Sequence, residues 1–382
     1  MTRTAAFRLG IGGVAVAAAF SFCIGCATQA LERARRDFYS GNFDEAERRL
    51  ERRFPDQDRV LYLMERGTIR MFQGEYARAV RDFIDAYDRL VDLETYSITR
   101  GGASFVVNDT VQDFRGFPYE RTLLHAFAAK CHFALGQWEE AAVEARRLLQ
   151  SLDPDALRGY PDDAYSRYVA GAAFELTGDR SNARLQYQKA AELAPAARIE
   201  PDSGRPGGGA APPGGVELLV FVMMGRAPRF ESAIMPDIPT YAEIFAGSQK
   251  LGRSYPLTDT AELAAKSYEK DAARQIAKTA ARIAAKEAIS HQLSREDPLL
   301  GDLARLILIG LLEKPDTRRW ETLPRYLQVA RVSCPADLRS YTVEFKTESG
   351  ITLSKREISF PLQRNGRLIV SFVRDIEGSP GG

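Results

Sequence analysis

The sequence predicts an α+β protein: an N-terminal α-helical solenoid, followed by a C-terminal β-rich domain, a sheet or small sandwich, that carries an inserted long helix. Three observations lead there. A Gly-x-x-x-x-Ala pattern between helical apolar runs recurs at Gly41, Gly74, Gly136 and Gly178, with an aromatic two places after the first three glycines. Residues 196–215 then collect Pro201, Pro206, Pro212 and Pro213 among glycines, a composition shift that marks a linker and domain boundary. Beyond Trp320 the apolar period changes from helical to two.

The chain has 382 residues, room for two or three domains. Its net charge of +1 gives no global case for a nucleic-acid partner. Only three histidines occur, His125, His132 and His291, which argues against His-based catalysis or a zinc centre.

The first 25 residues read as an address. Arg3 and Arg8 precede an apolar run of small residues from Leu9 to Gly25, the charged and hydrophobic regions of a signal segment. Cys23-Ile24-Gly25-Cys26 resembles a bacterial lipobox, with Cys23 standing where Leu is usual. The resemblance implies cleavage before Cys26, acylation at that cysteine, and stable anchoring by several acyl chains. The alternative is an uncleaved anchor helix. Ala27 rather than Asp after the cysteine implies the outer membrane, with the body facing the oxidising periplasm. Cys131 and Cys334 then remain, in different domains, and are expected as free thiols.

Residues 26–195 carry the repeats. The four glycines lie 33, 62 and 42 residues apart, and the first interval is close to the tetratricopeptide period. The fourth unit matches that pattern best, through Gly171, Phe174, Gly178, Ala183, Tyr187, Ala190 and Pro195. The second matches at Gly67, Gly74, Ala79, Phe83 and Ala86. The long second interval contains an insert, 95–118, whose aromatics need cover; the shorter loop 153–162 accounts for the last. A repeat scaffold of this kind offers a curved groove for a protein or peptide segment.

The stretch Val106 to Leu124 holds the candidate site. Asn108 and Asp109 read first as a turn. Arg115, Tyr119, Glu120 and Arg121 form either a polar partner-binding cluster at the groove or an ion-paired lock holding the insert to the repeats. Pro118 suits a first helical turn, and Glu120 suits the positive helix end. Cys131 and His132 are adjacent, point about 100° apart on a helix, and make no nucleophile pair. His125 and His132 share a face but lack a third metal ligand. No catalytic residues, metal site or cofactor are expected.

In the second domain, 216–377, the run 217–224 reads as a buried strand. Residues 260–293 read as a long Ala-rich helix with Lys266, Lys270, Arg274, Lys278, Arg282 and Lys286 sweeping around it, a solvated face or a contact for anionic lipid. An apolar helix is expected over 298–312. Strands are expected at 326–332, 340–346, 358–362 and 368–373, with Asn365-Gly366 as a hairpin turn, about five strands in all.

Residues 61–149, including Asn108-Asp109 and Arg115-Gly-Phe-Pro-Tyr-Glu-Arg121, together with the segment 316–324 and Val329-Ala-Arg331, resemble an uncharacterised family of bacterial tetratricopeptide-type lipoproteins. Its usual motif is Arg-Gly-Glu-Pro-Tyr-Glu-Arg, so Phe117 replaces an acid. The resemblance implies no particular activity. The expected function is a non-enzymatic, outer-membrane-anchored scaffold or regulator of an envelope assembly, binding envelope proteins or peptide segments through the repeat groove. The alternative is an envelope enzyme or ligand-binding module acting on peptidoglycan or lipid.

Overall fold

A computed structural model describes residues 29–51, 54–99, 113–152, 161–208, 215–227, 239–267, 318–359 and 362–377. The expected signal segment, Cys26, Asn108, Asp109, the helix 298–312 and most of the helix 260–293 lie outside them; residues 260–267 are helical. Among the described residues, no helix is long and apolar enough to cross a membrane.

The fold is mixed α+β, with helices in the N-terminal half and two sheets beyond. The helices are α1 (29–39), α2 (Phe43–Leu50), α3 (Arg59–Gln73), α4 (Tyr76–Thr99), α5 (Pro118–Ala134), α6 (Trp138–Ser151), α7 (Ala164–Leu176) and α8 (Arg180–Leu193). Four hairpins join them pairwise, and their turns are the four glycines read from the sequence. Gly41, Gly74, Gly136 and Gly178 have φ of 76°, 90°, 69° and 81°, a region closed to most side chains. At each, the next residue's N–H donates to the carbonyl five places back, as Glu75 does to Arg70 at 2.9 Å, which satisfies a carbonyl the ending helix would otherwise orphan.

The alanine five places after each glycine is buried: Ala46, Ala79, Ala141 and Ala183. Close helix approach is also built from Gly67 under the Phe83 ring and Gly171 under the Tyr187 ring, where an added Cβ would come within 2.7 and 2.8 Å of ring carbons. In the third hairpin Ala129 and Ala145, at the same separation, are both fully buried.

Nine strands make two sheets among the described residues: β1 (Val216–Met224), β2 (Tyr241–Ala246), β3 (Gln249–Arg253), β4 (Tyr255–Asp259), β5 (Tyr326–Cys334), β6 (Ser340–Lys346), β7 (Thr352–Ser359), β8 (Gln363–Asn365) and β9 (Leu368–Arg374). The first sheet runs β4-β5-β1-β9-β8 and the second β3-β2-β6-β7. β1 pairs parallel with β9 and antiparallel with β5.

Every residue of β1 is buried because this strand is covered on both faces. Its Leu218, Val220, Val222 and Met224 face the second sheet, joining Ile244, Val343, Phe345 and Ile358. Leu219, Phe221 and Met223 face the helices. The protein is therefore three layers, with helices on one sheet and that sheet on another. α5 and α7 are buried nearly all round, whereas α6 and α8 keep exposed faces.

The strand count exceeds the expected five by β2, β3, β4 and the three-residue β8, which lack an alternating signal. Ser254, between β3 and β4, turns the chain from one sheet to the other: its hydroxyl donates to Gln328 Oε1 at 2.6 Å and accepts the Ala242 N–H at 2.8 Å. β7 occupies 352–359 rather than 358–362 because it pairs along β6 from Lys346 to Ser340. The last hairpin turns on Gly366 and Arg367, since Asn365 already pairs with Leu368; positive φ falls only on Gly366, at 56°.

The expected flexible linker is packed in its described part, 196–208. Gly204, at φ 65°, lies so close to Tyr187 that a Cβ would sit 2.5 Å from the ring. Arg205 reaches Glu217 at 3.1 Å and Ser333 at 3.1 Å. Its glycines serve close approach to the helices and the first sheet rather than slack.

Gly171→Ala should lower the urea midpoint by the equivalent of about 1–3 kcal/mol, because the Tyr187 ring behind it has nowhere to move. Unchanged stability would show that the α7–α8 contact is looser than described.

Candidate functional site

Helix α5 begins at Pro118, whose missing N–H costs nothing in a first turn. The Glu120 carboxylate accepts the Phe117 N–H at 2.7 Å with one oxygen. With the other it accepts the Trp320 N–H at 2.7 Å, from a residue two hundred places along the chain. Glu120 is fully buried, and burial pushes its carboxyl up to about 7, against the pull of those two backbone donors and of the Arg319 charge.

Trp320 belongs to a strap, residues 318–325, that crosses the helices before entering β5. Its indole is fully buried, 5.9 Å from the Phe83 ring and 5.2 Å from Phe127, centre to centre. The indole N–H is shared between the hydroxyls of Thr68, 2.9 Å, and Thr322, 3.0 Å. A second buried carboxylate, Glu65, holds the next two residues by accepting the Glu321 N–H at 2.9 Å and the Thr322 N–H at 3.2 Å. The Arg35 guanidinium neutralises Glu65 at 2.6 Å and also donates to the Arg319 carbonyl at 2.7 Å and to Glu321 at 3.0 Å.

The candidate residues fall around this joint. Tyr119 is 5% exposed and stacks on Phe117 with centroids 6.1 Å apart. Arg121 is 7% exposed, donates to the Arg115 carbonyl at 2.7 Å, and bonds Glu94 on α4. Arg115 is half-buried. The described end of the insert is pinned as well, since the Phe114 N–H donates to the Gln57 carbonyl at 2.6 Å and the Phe114 ring is buried. Arg318 joins Asp58 at 2.6 Å with its guanidinium 5.7 Å from the Phe114 ring. Of the two readings the sequence allows, the described geometry of Tyr119, Glu120 and Arg121 fits a lock. What it locks is the C-terminal strap as much as the insert.

Arg331 provides a second joint. It donates to both Glu175 oxygens at 2.7 Å, from β5 to the end of α7, and to Glu217 on β1 at 2.7 Å. Arg374 provides a third: it is fully buried, donates to the carbonyls of Thr322 and Gly225, and has the rings of Phe38 and Phe72 at 5.0 and 5.2 Å. Burial lowers the pKa of this guanidinium, against the opposing influence of Tyr39 and Asp375.

No protein-family model and no curated protein matches the chain.

His125 and His132 have different partners, Glu144 at 2.7 Å and Gln137 at 2.8 Å. Among the described residues, no group of three or more His, Cys, Asp or Glu could hold a metal ion. Cys131 and Cys334 are both free thiols; Cys131 is fully buried, which pushes its thiol far up, and half-buried Cys334 is pushed up to about 11.

Lys130 is a residue the sequence reading passed over. Its side-chain nitrogen is fully buried against the Met223 sulfur at 3.0 Å and the Phe127 ring at 3.6 Å, and burial drives its pKa well below the usual lysine range. The signal was available: Lys130 is the one charged side chain in the apolar run from Ala126 to Ala134.

Trp320→Ala should cost about 3–5 kcal/mol in urea unfolding, the range for emptying a large aromatic site. A loss under about 1 kcal/mol would mean that the strap is not part of the core.

Glu120 makes a pH prediction. The folded chain holds its proton more tightly than the unfolded chain, so its contribution to stability is full below about 4.5 and is lost as pH rises through about 7. Asp163 and Asp375, also raised by burial, act in the same direction. Glu120→Gln should flatten the fall in stability between pH 5 and 8 by on the order of 2–3 kcal/mol. An unchanged profile would show that Glu120 stays ionised across that range.

Proposed function

We propose that this chain is the periplasmic body of a bacterial outer-membrane lipoprotein, held at Cys26, that acts as a scaffold or regulator in an envelope assembly. Its helical hairpins are read as tetratricopeptide-type repeats, and the chain as a member of the uncharacterised lipoprotein family that its motifs resemble. The repeat reading is supported by the four glycine turns with a common closing bond and by the recurring buried alanine.

The observation that carries a binding rather than a catalytic role is the position of Tyr119, Glu120 and Arg121. All three are buried, and Glu120 and Arg121 make internal polar contacts to the strap, the insert and α4. Three of the segments that carry the family resemblance, 115–121, 316–324 and 329–331, meet one another or the helices at the layer boundary where they are described. They read as the joints of a rigid body, which a scaffold needs.

The joints also relocate the partner surface. The sheet-facing side of the helices packs Phe133, Tyr165 and Tyr168 against Phe221, and Phe72 and Tyr76 against Phe372. A partner therefore meets the outer helices. Val143 on α6 and Leu185 on α8 stand seven residues after their hairpin glycines and are each 44% exposed.

Labelling with a palmitate analogue should mark the native chain and leave Cys26→Ala unmarked. Photoreactive residues at positions 143 and 185 should then trap a discrete envelope protein in intact cells. Equal labelling of the two chains would refute the anchor, and an empty trap at both positions would refute the outer helices as the partner surface.

A further inference from the structure

On the N-terminal hairpin, α1 and α2 border an open, shallow cleft of about 420 Å³ lined by Arg33, Arg36, Asp37 and Arg49. The carboxylates around it are already committed. Asp37 pairs with Arg49, Glu45 with Arg48 and Arg49, and Glu32 with the buried Arg35. Among the described residues, Arg33 bonds the side-chain amide oxygen of Gln29 at 3.3 Å and no carboxylate, and Arg36 has no side-chain ion pair. Three guanidinium groups over one carboxylate leave the cleft with a surplus of two positive charges, and both surplus side chains are exposed.

Covalent connection then constrains where this surface can be. Helix α1 is described from residue 29, three positions after Cys26. Three extended residues span about 10–11 Å, so the start of α1 can lie no farther than that from an acylated Cys26. Arg33 is four residues further along the helix and Arg36 seven, about 6 and 10 Å of rise. Arg33 and Arg36 are then held within about 17 and 21 Å of an acylated Cys26, so both meet the headgroup layer when α1 lies along the membrane surface.

We propose that Arg33 and Arg36 bind the phosphates of anionic phospholipid headgroups, seating the first hairpin on the membrane and setting the orientation of the whole body. The proposal rests on the anchor reading at Cys26. Guanidinium groups suit phosphate because their planar donors match two oxygens at once. The lipid chains supply attachment, and the arginine pair supplies direction. Because the hairpin is tied through Arg35 to Glu65 and Glu321, its seating carries the helical layer and the strap with it.

The test uses the full chain in vesicles, with its N-terminal mass measured first. Photoreactive phosphatidylglycerol and photoreactive phosphatidylcholine are compared as probes, and the cross-linked peptides covering residues 29–51 are counted. The native chain should label several-fold more with the anionic probe, and Arg33→Glu with Arg36→Glu should abolish the preference. Both positions are exposed, so the double variant should keep the native urea midpoint. Equal labelling by the two probes, or a preference that survives in the double variant, overturns the proposal and leaves the anchor standing. A chain without acyl mass at Cys26 overturns the anchor and the proposal together. Added inorganic phosphate that displaces the anionic probe more than chloride of equal ionic strength marks a free-phosphate site and overturns the lipid assignment.

Discussion

Two buried carboxylates, Glu65 on α3 and Glu120 on α5, set the terms for the rest of the structure. A carboxylate removed from water needs either a cation or several hydrogen-bond donors; otherwise its burial costs several kcal/mol. Glu65 finds Arg35 and two backbone N–H groups, and Glu120 finds two backbone N–H groups. Three of those four backbone donors belong to residues 320–322. The acids of the helical layer thus lack most of their backbone donors until the C-terminal strap arrives, and they fix where the strap crosses the helices. Trp320 then fills the space between Phe83 and Phe127 and adds the apolar area that makes the contact favourable.

The same logic explains charges on the helix-facing side of the first sheet. Glu217, Arg331 and Arg374 alternate with Leu219, Val329 and Phe372 on buried strands, where an apolar layer alone would suffice for stability. Buried ion pairs roughly break even against well-packed hydrophobes, so their contribution is better sought in register. A one-residue slip of β5 would turn Arg331 away from Glu175 and Glu217 and bury it against Val343 and Phe345 on the second sheet. Lys130 lacks even a carboxylate and accepts a thioether and two ring faces, which a neutral amine tolerates far better than an ammonium.

The legible parts of the fold were those where local geometry forces a residue type. Gly41, Gly74, Gly136 and Gly178 were visible because only glycine enters that backbone region cheaply. β1 and β9 were visible because a strand between two layers is mostly apolar, as 218–224 and 368–373 are apart from Ser371. β3 (Gln-Lys-Leu-Gly-Arg) and β7 (Thr-Leu-Ser-Lys-Arg-Glu-Ile-Ser) were not, because a partly exposed edge carries charge on both parities. Residues 196–208 misled for a related reason. A glycine chosen for slack and a glycine chosen to lie flat on Tyr187 look alike in sequence, and only the packing partner separates them.

Arg115 to Arg121 was conspicuous in the sequence for its density of polar groups, which marks a binding cluster and an internal joint equally well. The difference lies in which donors come from far away, and no local pattern encodes a bond between positions 120 and 320. That long-range bond also bears on how a scaffold of this construction could work. A repeat array that stands alone flexes between units and presents its inner surface. Here the inner surface is packed on a sheet, with α5 and α7 held on both sides, so unit-by-unit flexing would open the core. Under the proposed role, what such a body transmits is orientation. In the proposed scaffold, a partner on the outer faces of α6 and α8 would be tied to the first hairpin through the helical layer and the contacts that Arg35 and Glu65 make with the strap.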